Sequence, residues 1–94
     1  MNNGENTLDF EKIEALRKHM LLTAYNMAAV FGVSRVTYYS WVKGKAVRKH
    51  NVTKVRDAVK KLLDVVRDQN WPSPEVIAMS QQERYAKLLE ILKS

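Results

Sequence analysis

The sequence contains no cysteine, only two prolines and three glycines, and no long run of apolar residues. Without cysteine, the chain can form neither disulfides nor thiolate metal sites. A membrane-spanning helix needs about 18 consecutive apolar residues, and no stretch approaches that length. The first residues, Met1 to Asn6, are polar and lack the basic start and apolar stretch of a secretory signal. We therefore expect a soluble protein of the cytoplasm.

The sequence also lacks the side-chain groupings that catalysis and metal binding require. His19 and His50 stand without acidic residues or cysteines at metal-ligand spacing, so we expect no metal site. The three glycines form no phosphate-binding loop. Glu11 and Glu14 are three residues apart, and such pairs on a surface helix are usually solvent-facing charges. We expect no catalytic residue, no cofactor and no enzymatic activity.

The whole chain has a net charge of +6, and its positive charge is concentrated in one continuous third of the sequence. Between residues 34 and 61, nine basic residues stand against the single acid Asp57, which gives +8 for this segment and leaves −2 for the rest. A charge run is often only a solvated face. This concentration nevertheless favours a polyanionic partner, because neutralised phosphates release condensed counterions. Nucleic acid is the leading interpretation, and an anionic membrane surface is the alternative.

The spacing of apolar residues predicts an all-α protein with five helices and no strand. Thr23 and Ser34 are suited to capping the second and third helices, and Gly32 ends the second. A basic loop over residues 45–50 follows the third helix, which Gly44 terminates. The predicted helices run from Thr7 or Asp9 to Met20, Thr23 to Phe31, Arg35 to Val42, Asn51 or Thr53 to Asp68, and Ser80 onward, with a short turn from Pro74 to Met79.

Two short helices joined by a tight turn, with a basic loop after the second, indicate a helix-turn-helix motif. Ala28 is small where the two helices must approach closely, and Gly32 supplies the turn. Apolar residues at matching offsets are expected to face the core: Met27, Phe31, Val33, Tyr38 and Trp41. The long fourth helix carries its own predicted buried stripe: Val52, Val55, Val59, Leu62, Leu63 and Val66.

From about Ile13 to Leu63 the sequence resembles the lambda-repressor and Cro-like, or Xre-type, helix-turn-helix proteins. The residues that carry the resemblance are Ala28, Gly32, Ser34, Arg35, Trp41 and Gly44 in combination. It implies a five-helix lambda-repressor-like DNA-binding domain with an additional C-terminal helix. Two positions depart from the family: Ala24 replaces a glutamine that often binds phosphate, and Val42 replaces a glutamate that often pairs with the helix-1 arginine. We therefore expect Arg17 to be free.

The third helix is expected to read bases in the major groove, because helical spacing turns its aromatic residues inward and their neighbours outward. Arg35 is the leading candidate for base recognition, because its guanidinium can donate two hydrogen bonds to guanine. Val36 is suited to contact a thymine methyl group. The alternatives are a phosphate contact or a solvated charge for Arg35, packing for Val36, and simple N-capping for Thr23 and Ser34. The predicted DNA-contacting residues are Thr23, Asn26, Ser34, Arg35, Val36, Thr37, Tyr39, Ser40, Lys43, Lys45, Arg48 and Lys49.

From Trp71 onward the chain lies outside the resemblance. We expect a flexible tail over residues 1–6, the helix-turn-helix domain over residues 7–70 and a C-terminal helical extension over residues 71–94. Ser80 to Glu83 is typical of a capping box, and Trp71 is expected to anchor the core. Because one reading helix contacts few base pairs, we expect a homodimer. The predicted dimer contacts are Tyr85, Leu88, Ile91 and Leu92; alternatively this helix only packs on the first four.

The leading function is transcriptional regulation, as a phage or prophage repressor that binds a palindromic double-stranded DNA operator. This would place the protein at the nucleoid of a bacterium or an infected host. An alternative is a helix-turn-helix protein-interaction module, such as an antitoxin or a polymerase-binding phage factor. A third is an architectural or recombination accessory that bends DNA. The expected outward position of Arg35, Ser40 and the loop cations favours DNA. We expect no ligand-sensing domain in the remaining length and therefore no small-molecule ligand.

Overall fold

The computed structural model describes residues 8–93, and over this range the protein is helical without any strand, which confirms the all-α prediction. The described residues form six helices: α1 (Phe10–His19), α2 (Ala24–Phe31), α3 (Arg35–Val42), α4 (Lys49–Asp68), α5 (Pro74–Ala78) and α6 (Gln81–Lys93). The turn expected from Pro74 forms the short helix α5. The expected N-terminal tail and the alternative cap Thr7 lie outside the described residues. No helix among residues 8–93 is long and apolar enough to cross a membrane.

Side-chain caps fix where most of these helices begin. Asp9 accepts hydrogen bonds from backbone N–H groups in the first turn of α1, and Thr23 and Ser34 do the same for α2 and α3. The backbone N–H of Ser80 donates to Glu83 Oε1 at 2.9 Å, and the N–H of Glu83 donates to Ser80 Oγ at 3.2 Å. The predicted caps of these four helices, including the capping box of α6, are confirmed.

The start of α4 differs from the prediction. The helix begins at Lys49, after Arg48, and no side chain caps it. The predicted caps Asn51 and Thr53 therefore lie inside the helix, and the loop shortens to residues 45–48. A missing cap costs about 1 kcal/mol. Burial of Val52 in the first turn stabilises by about 1.5 kcal/mol or more, which is enough to offset that cost.

The core is shared by all six helices. The largest fully buried side chains are Tyr38, Phe31, Met20, Met27, Leu62, Leu88, Val55 and Val76. On α4, the prediction of a buried stripe is wrong at one position: Leu63 is 51 % exposed, and Val65 is buried instead. Successive residues of a helix are rotated by about 100°, so once Leu62 points into the core, Leu63 turns away and Val65 returns.

The C-terminal segment completes this core rather than lying apart from it. Trp71 is buried, and its indole Nε1 donates a hydrogen bond of 2.9 Å to the carbonyl oxygen of Met20. The prediction that Trp71 anchors the core is confirmed. Arg84 is also buried, with 8 % of its surface exposed, although it carries a charge.

Burial also changes the expectation for the predicted dimer contacts on α6. Leu88 is 0 % exposed and therefore cannot contact a second chain. Tyr85, Ile91 and Leu92 are half-buried and pack against the core cluster. The physical reason is that a protein of this size needs the apolar face of α6 to cover its own core. This packing corresponds to the alternative in which α6 lies on the first four helices.

Candidate nucleic-acid interface

The turn between α2 and α3 has a fixed geometry. Gly32 adopts a left-handed conformation, with φ 75° and ψ 29°, which glycine reaches without a steric penalty. Its N–H donates to Ala29 at 3.0 Å, and the N–H of Val33 donates to Ala28 at 3.0 Å. Ala28 is buried between the packed helices. A small residue, a left-handed glycine and two backbone hydrogen bonds thus set the position of α3 relative to α2.

None of the predicted DNA-contacting residues is buried. On the outer face of α3, Arg35, Val36 and Tyr39 are exposed, whereas Tyr38 and Trp41 are in the core, as the helical spacing predicts. Val36 is 78 % exposed. Its two methyl groups are therefore open to an apolar contact, and the packing alternative for Val36 is wrong.

The hydroxyl groups of the two serines of this segment, Ser34 at the N-cap and Ser40 within α3, are already engaged locally. Ser34 Oγ accepts from the N–H of Thr37 at 3.1 Å, so the N-capping interpretation of Ser34 is confirmed. Ser40 Oγ donates to the carbonyl oxygen of Thr37 at 2.7 Å. A hydroxyl has one proton and two lone pairs. In this rotamer Ser40 can accept a hydrogen bond from a base amino group but has no proton left for a phosphate.

At the start of α2, Thr23 and Asn26 cap each other. The N–H of Thr23 donates to Asn26 Oδ1 at 3.1 Å, and the N–H of Asn26 donates to Thr23 Oγ1 at 2.9 Å. N-capping by Thr23 is thereby confirmed, and the part played by Asn26 was not predicted. Both bonds use the side-chain oxygens as acceptors, which leaves the Thr23 hydroxyl proton and the Asn26 amide protons as donors. Capping and phosphate binding are therefore compatible at these two residues.

An open groove of about 400 Å³ runs between α3 and the first turn of α4. Its polar and basic lining residues are Ser34, Thr37, Ser40, Lys45, Arg48, His50 and Asn51. The structure thus brings two predicted loop cations beside the polar edge of α3. Lys43 and Lys49 are exposed but lie outside this lining. His50 and Asn51 were missed, because the sequence prediction ended the loop later and treated Asn51 as a cap.

A charged cluster beneath α3 corrects the expectation for Arg17. Its Nε and Nη2 donate to the two carboxylate oxygens of Glu14, each at 2.8 Å, and its Nη1 donates to the carbonyl oxygen of Leu22 at 2.9 Å. Arg17 is therefore not free. Residues i and i+3 of a helix are neighbours, so Glu14 supplies the partner that Val42 does not.

Glu14 also links α1 to α3, because the hydroxyl of Tyr38 donates to its carboxylate. The hydrogen bonds from Arg17 lower the pKa of Glu14 below its ordinary value. Burial, followed by the bond to Glu14, raises the pKa of Tyr38. Glu14 thus stays ionised and Tyr38 stays protonated, the states this contact requires. The expectation of a solvent-facing carboxylate at Glu14 is wrong, since its side chain is only partly exposed.

The site as a whole consists of hydrogen-bond donors, cations and the exposed side chains of Val36 and Tyr39 around α3. Among the described residues 8–93, no group of three or more histidine, aspartate or glutamate side chains is placed to hold a metal ion. Such a surface can bind a polyanion and discriminate base edges. Comparisons of the chain with protein-family models, with curated proteins and with solved structures find no match.

Proposed function

We propose that this protein is a transcriptional regulator with a lambda-repressor-like fold that binds double-stranded DNA sequence-specifically. In this proposal α3 enters the major groove and Arg35 donates two hydrogen bonds to guanine, while Val36 meets a thymine methyl group. Tyr39 lies along the groove wall. The observation that carries the proposal is the pairing of this exposed face with buried Tyr38 and Trp41 on the opposite side of the same helix.

The surrounding residues suit the phosphate backbone. Lys45 and Arg48 line the groove beside α3, and Thr23 and Asn26 keep free donors at the start of α2. Contacts of this kind fix the position of a protein on the duplex but carry no sequence information. We assign affinity mainly to these residues and specificity to α3.

A homodimer on a palindromic operator is part of the proposal, because one reading helix covers only a few base pairs. The two half-sites would lie about 34 Å apart, one helical turn of DNA. Repression follows most simply from occupying the operator, and a phage or prophage setting is consistent with a small, basic, single-core regulator. The chain acts in this scheme by binding alone and not as an enzyme.

Selection of bound sites from random DNA duplexes tests the proposal. We expect enrichment of a palindrome whose half-sites have the spacing given above. Amide signals of α3 and of residues 45–49 should shift in NMR spectra when the enriched duplex is added. Failure to enrich any duplex, together with unshifted α3 signals at low salt, would refute the proposal and favour a protein partner.

A further inference from the structure

We propose that the first turn of α6 extends the DNA-binding surface. In this proposal, which rests on the proposed function, Gln81 and Gln82 together with Tyr25 contact the sugar–phosphate backbone flanking the base pairs that α3 reads. The residues come from two segments that are far apart in the sequence. They come together only when the chain folds.

An open cleft of about 310 Å³ brings the two helix starts together. It is lined by Thr23, Tyr25, Asn26, Gln81, Gln82 and Tyr85. Thr23 and Asn26 are the α2 residues to which we assign backbone contacts. A DNA strand held by these two residues therefore runs past the side chains of α6.

The first turn of α6 is rigidly connected to this region. The buried guanidinium of Arg84 donates from Nη1 to the carbonyl oxygen of Leu21 at 3.2 Å. Leu21 precedes Thr23 by two residues. The same guanidinium also donates to carbonyl oxygens of Val76 and Met79 at 3.1 and 2.9 Å. Gln81 and Gln82 are consequently held in a fixed position relative to the start of α2.

The chemistry of the cleft fits a phosphodiester strand. Glutamine amides and tyrosine hydroxyls are neutral donors that suit phosphate oxygens, and the ring of Tyr25, which is 64 % exposed, offers a flat apolar surface to a deoxyribose. The acid of this turn, Glu83, accepts a hydrogen bond from the N–H of Ser80, which caps its own helix. That bond engages one carboxylate oxygen within the capping box of α6.

Neutral contacts predict a specific signature in a salt titration. Loss of a lysine contact flattens the dependence of log K on log salt concentration, whereas loss of a neutral contact leaves the slope unchanged. We expect the double variant Gln81→Ala, Gln82→Ala to bind the selected duplex about 5- to 10-fold more weakly at every salt concentration, for two lost hydrogen bonds. The matched control is Gln69→Ala, an exposed glutamine at the end of α4 outside the cleft.

A second variant adds a charge at residue 82 and tests whether this residue lies beside a phosphate. Gln82→Lys should steepen the salt slope by about 0.9, the value for one added phosphate contact, while Gln69→Lys should not. Ethylation interference should show that the double alanine variant no longer depends on phosphates flanking the half-site. Both glutamines are exposed, so circular dichroism spectra should match those of the wild type.

The outcomes separate this inference from the proposed function. Wild-type protein that binds its selected duplex, with a double alanine variant of equal affinity, would overturn the inference and leave the function standing. A variant whose salt slope flattens would also overturn it, since the lost contact would then be ionic. Wild-type protein that selects no duplex would overturn both.

Discussion

Arg84 donates a hydrogen bond of 3.2 Å to the carbonyl oxygen of Leu21, and thereby ties the last helix to the turn before α2. Leu21 has a φ of 63°, a left-handed conformation that costs a residue other than glycine about 1–2 kcal/mol. The same guanidinium also donates to Val76, Ile77 and Met79. One buried cation thus links α6 to the turn before α2 and to the end of α5.

Replacing Arg84 by methionine should lower the free energy of unfolding by about 2–4 kcal/mol, because four carbonyl oxygens lose a charged donor. Arg84→Lys should recover only part of this loss, since an ammonium group lacks the planar fork of guanidinium. Urea denaturation monitored by circular dichroism measures both. A methionine variant as stable as the wild type would contradict this stabilising role of Arg84.

The hydrogen bonds of Arg84 could not have been predicted from the sequence. Nothing in the neighbourhood of Arg84 indicates that its partners are backbone carbonyl oxygens, because those carbonyls belong to turns that only tertiary packing brings near. The caps at Thr23, Ser34 and Ser80 were predictable for the opposite reason. A cap needs only a suitable side chain within three residues of the N–H groups that it satisfies.

In the candidate site, too, some features could be predicted from the sequence and others could not. The outward face of α3 follows from helical spacing alone, so Arg35 and Val36 could be placed correctly. The partner of Arg17 is local but was not predicted, because the family resemblance implies a partner at position 42 and not at Glu14. The contact between Glu14 and Tyr38 spans 24 residues and depends on how α1 packs against α3. Local spacing in the sequence does not reveal that packing.

Leu63 of α4, which is exposed, and Leu88 of α6, which is buried, allow a matched test of the core. Leu88→Ala should lower the free energy of unfolding by about 2–5 kcal/mol, because it leaves a cavity at a fully buried position. Leu63→Ala should cost about 0.5 kcal/mol or less, as is usual for exposed positions. Thermal unfolding measures the difference. Equal costs for the two variants would contradict the assignment of α6 to the core.

Glu14 should make stability depend on acid pH. Its hydrogen bonds from Arg17 hold the pKa of its carboxyl in the folded protein below its ordinary value of 4.5. A depressed pKa contributes stability that is fully present above the unfolded-state value and is lost as pH falls through the folded-state value. We therefore expect the free energy of unfolding to decrease as pH is lowered from about 5 to about 3.

Glu14→Gln is the variant that isolates this contribution. It keeps the shape of the side chain but removes the titrating group, so its stability should decrease less over the same pH range. At neutral pH it should be less stable than the wild type, because Arg17 loses its charged partner. Urea denaturation across this pH range measures both effects. Parallel pH profiles for the two proteins would show that Glu14 does not carry the dependence.

Specific and general DNA contacts should separate experimentally at Arg35 and Lys45. Arg35→Ala should cost about 1–3 kcal/mol of binding free energy on the selected site and relax the preference at one base position. Arg35→Lys should not restore the preference, because lysine cannot donate the paired hydrogen bonds that guanine accepts from guanidinium. Fluorescence anisotropy with the selected duplex and single-base variants of it measures these effects.

Lys45 provides the contrast, because it lines the groove beside α3 without belonging to its reading face. A cation that contacts phosphate contributes equally on every sequence, so Lys45→Ala should weaken specific and non-specific binding by the same factor. It should also flatten the salt slope by about one, the value for one lost phosphate contact. The reverse pattern, with altered base preference at Lys45 and a purely ionic loss at Arg35, would mean that α3 does not read the bases.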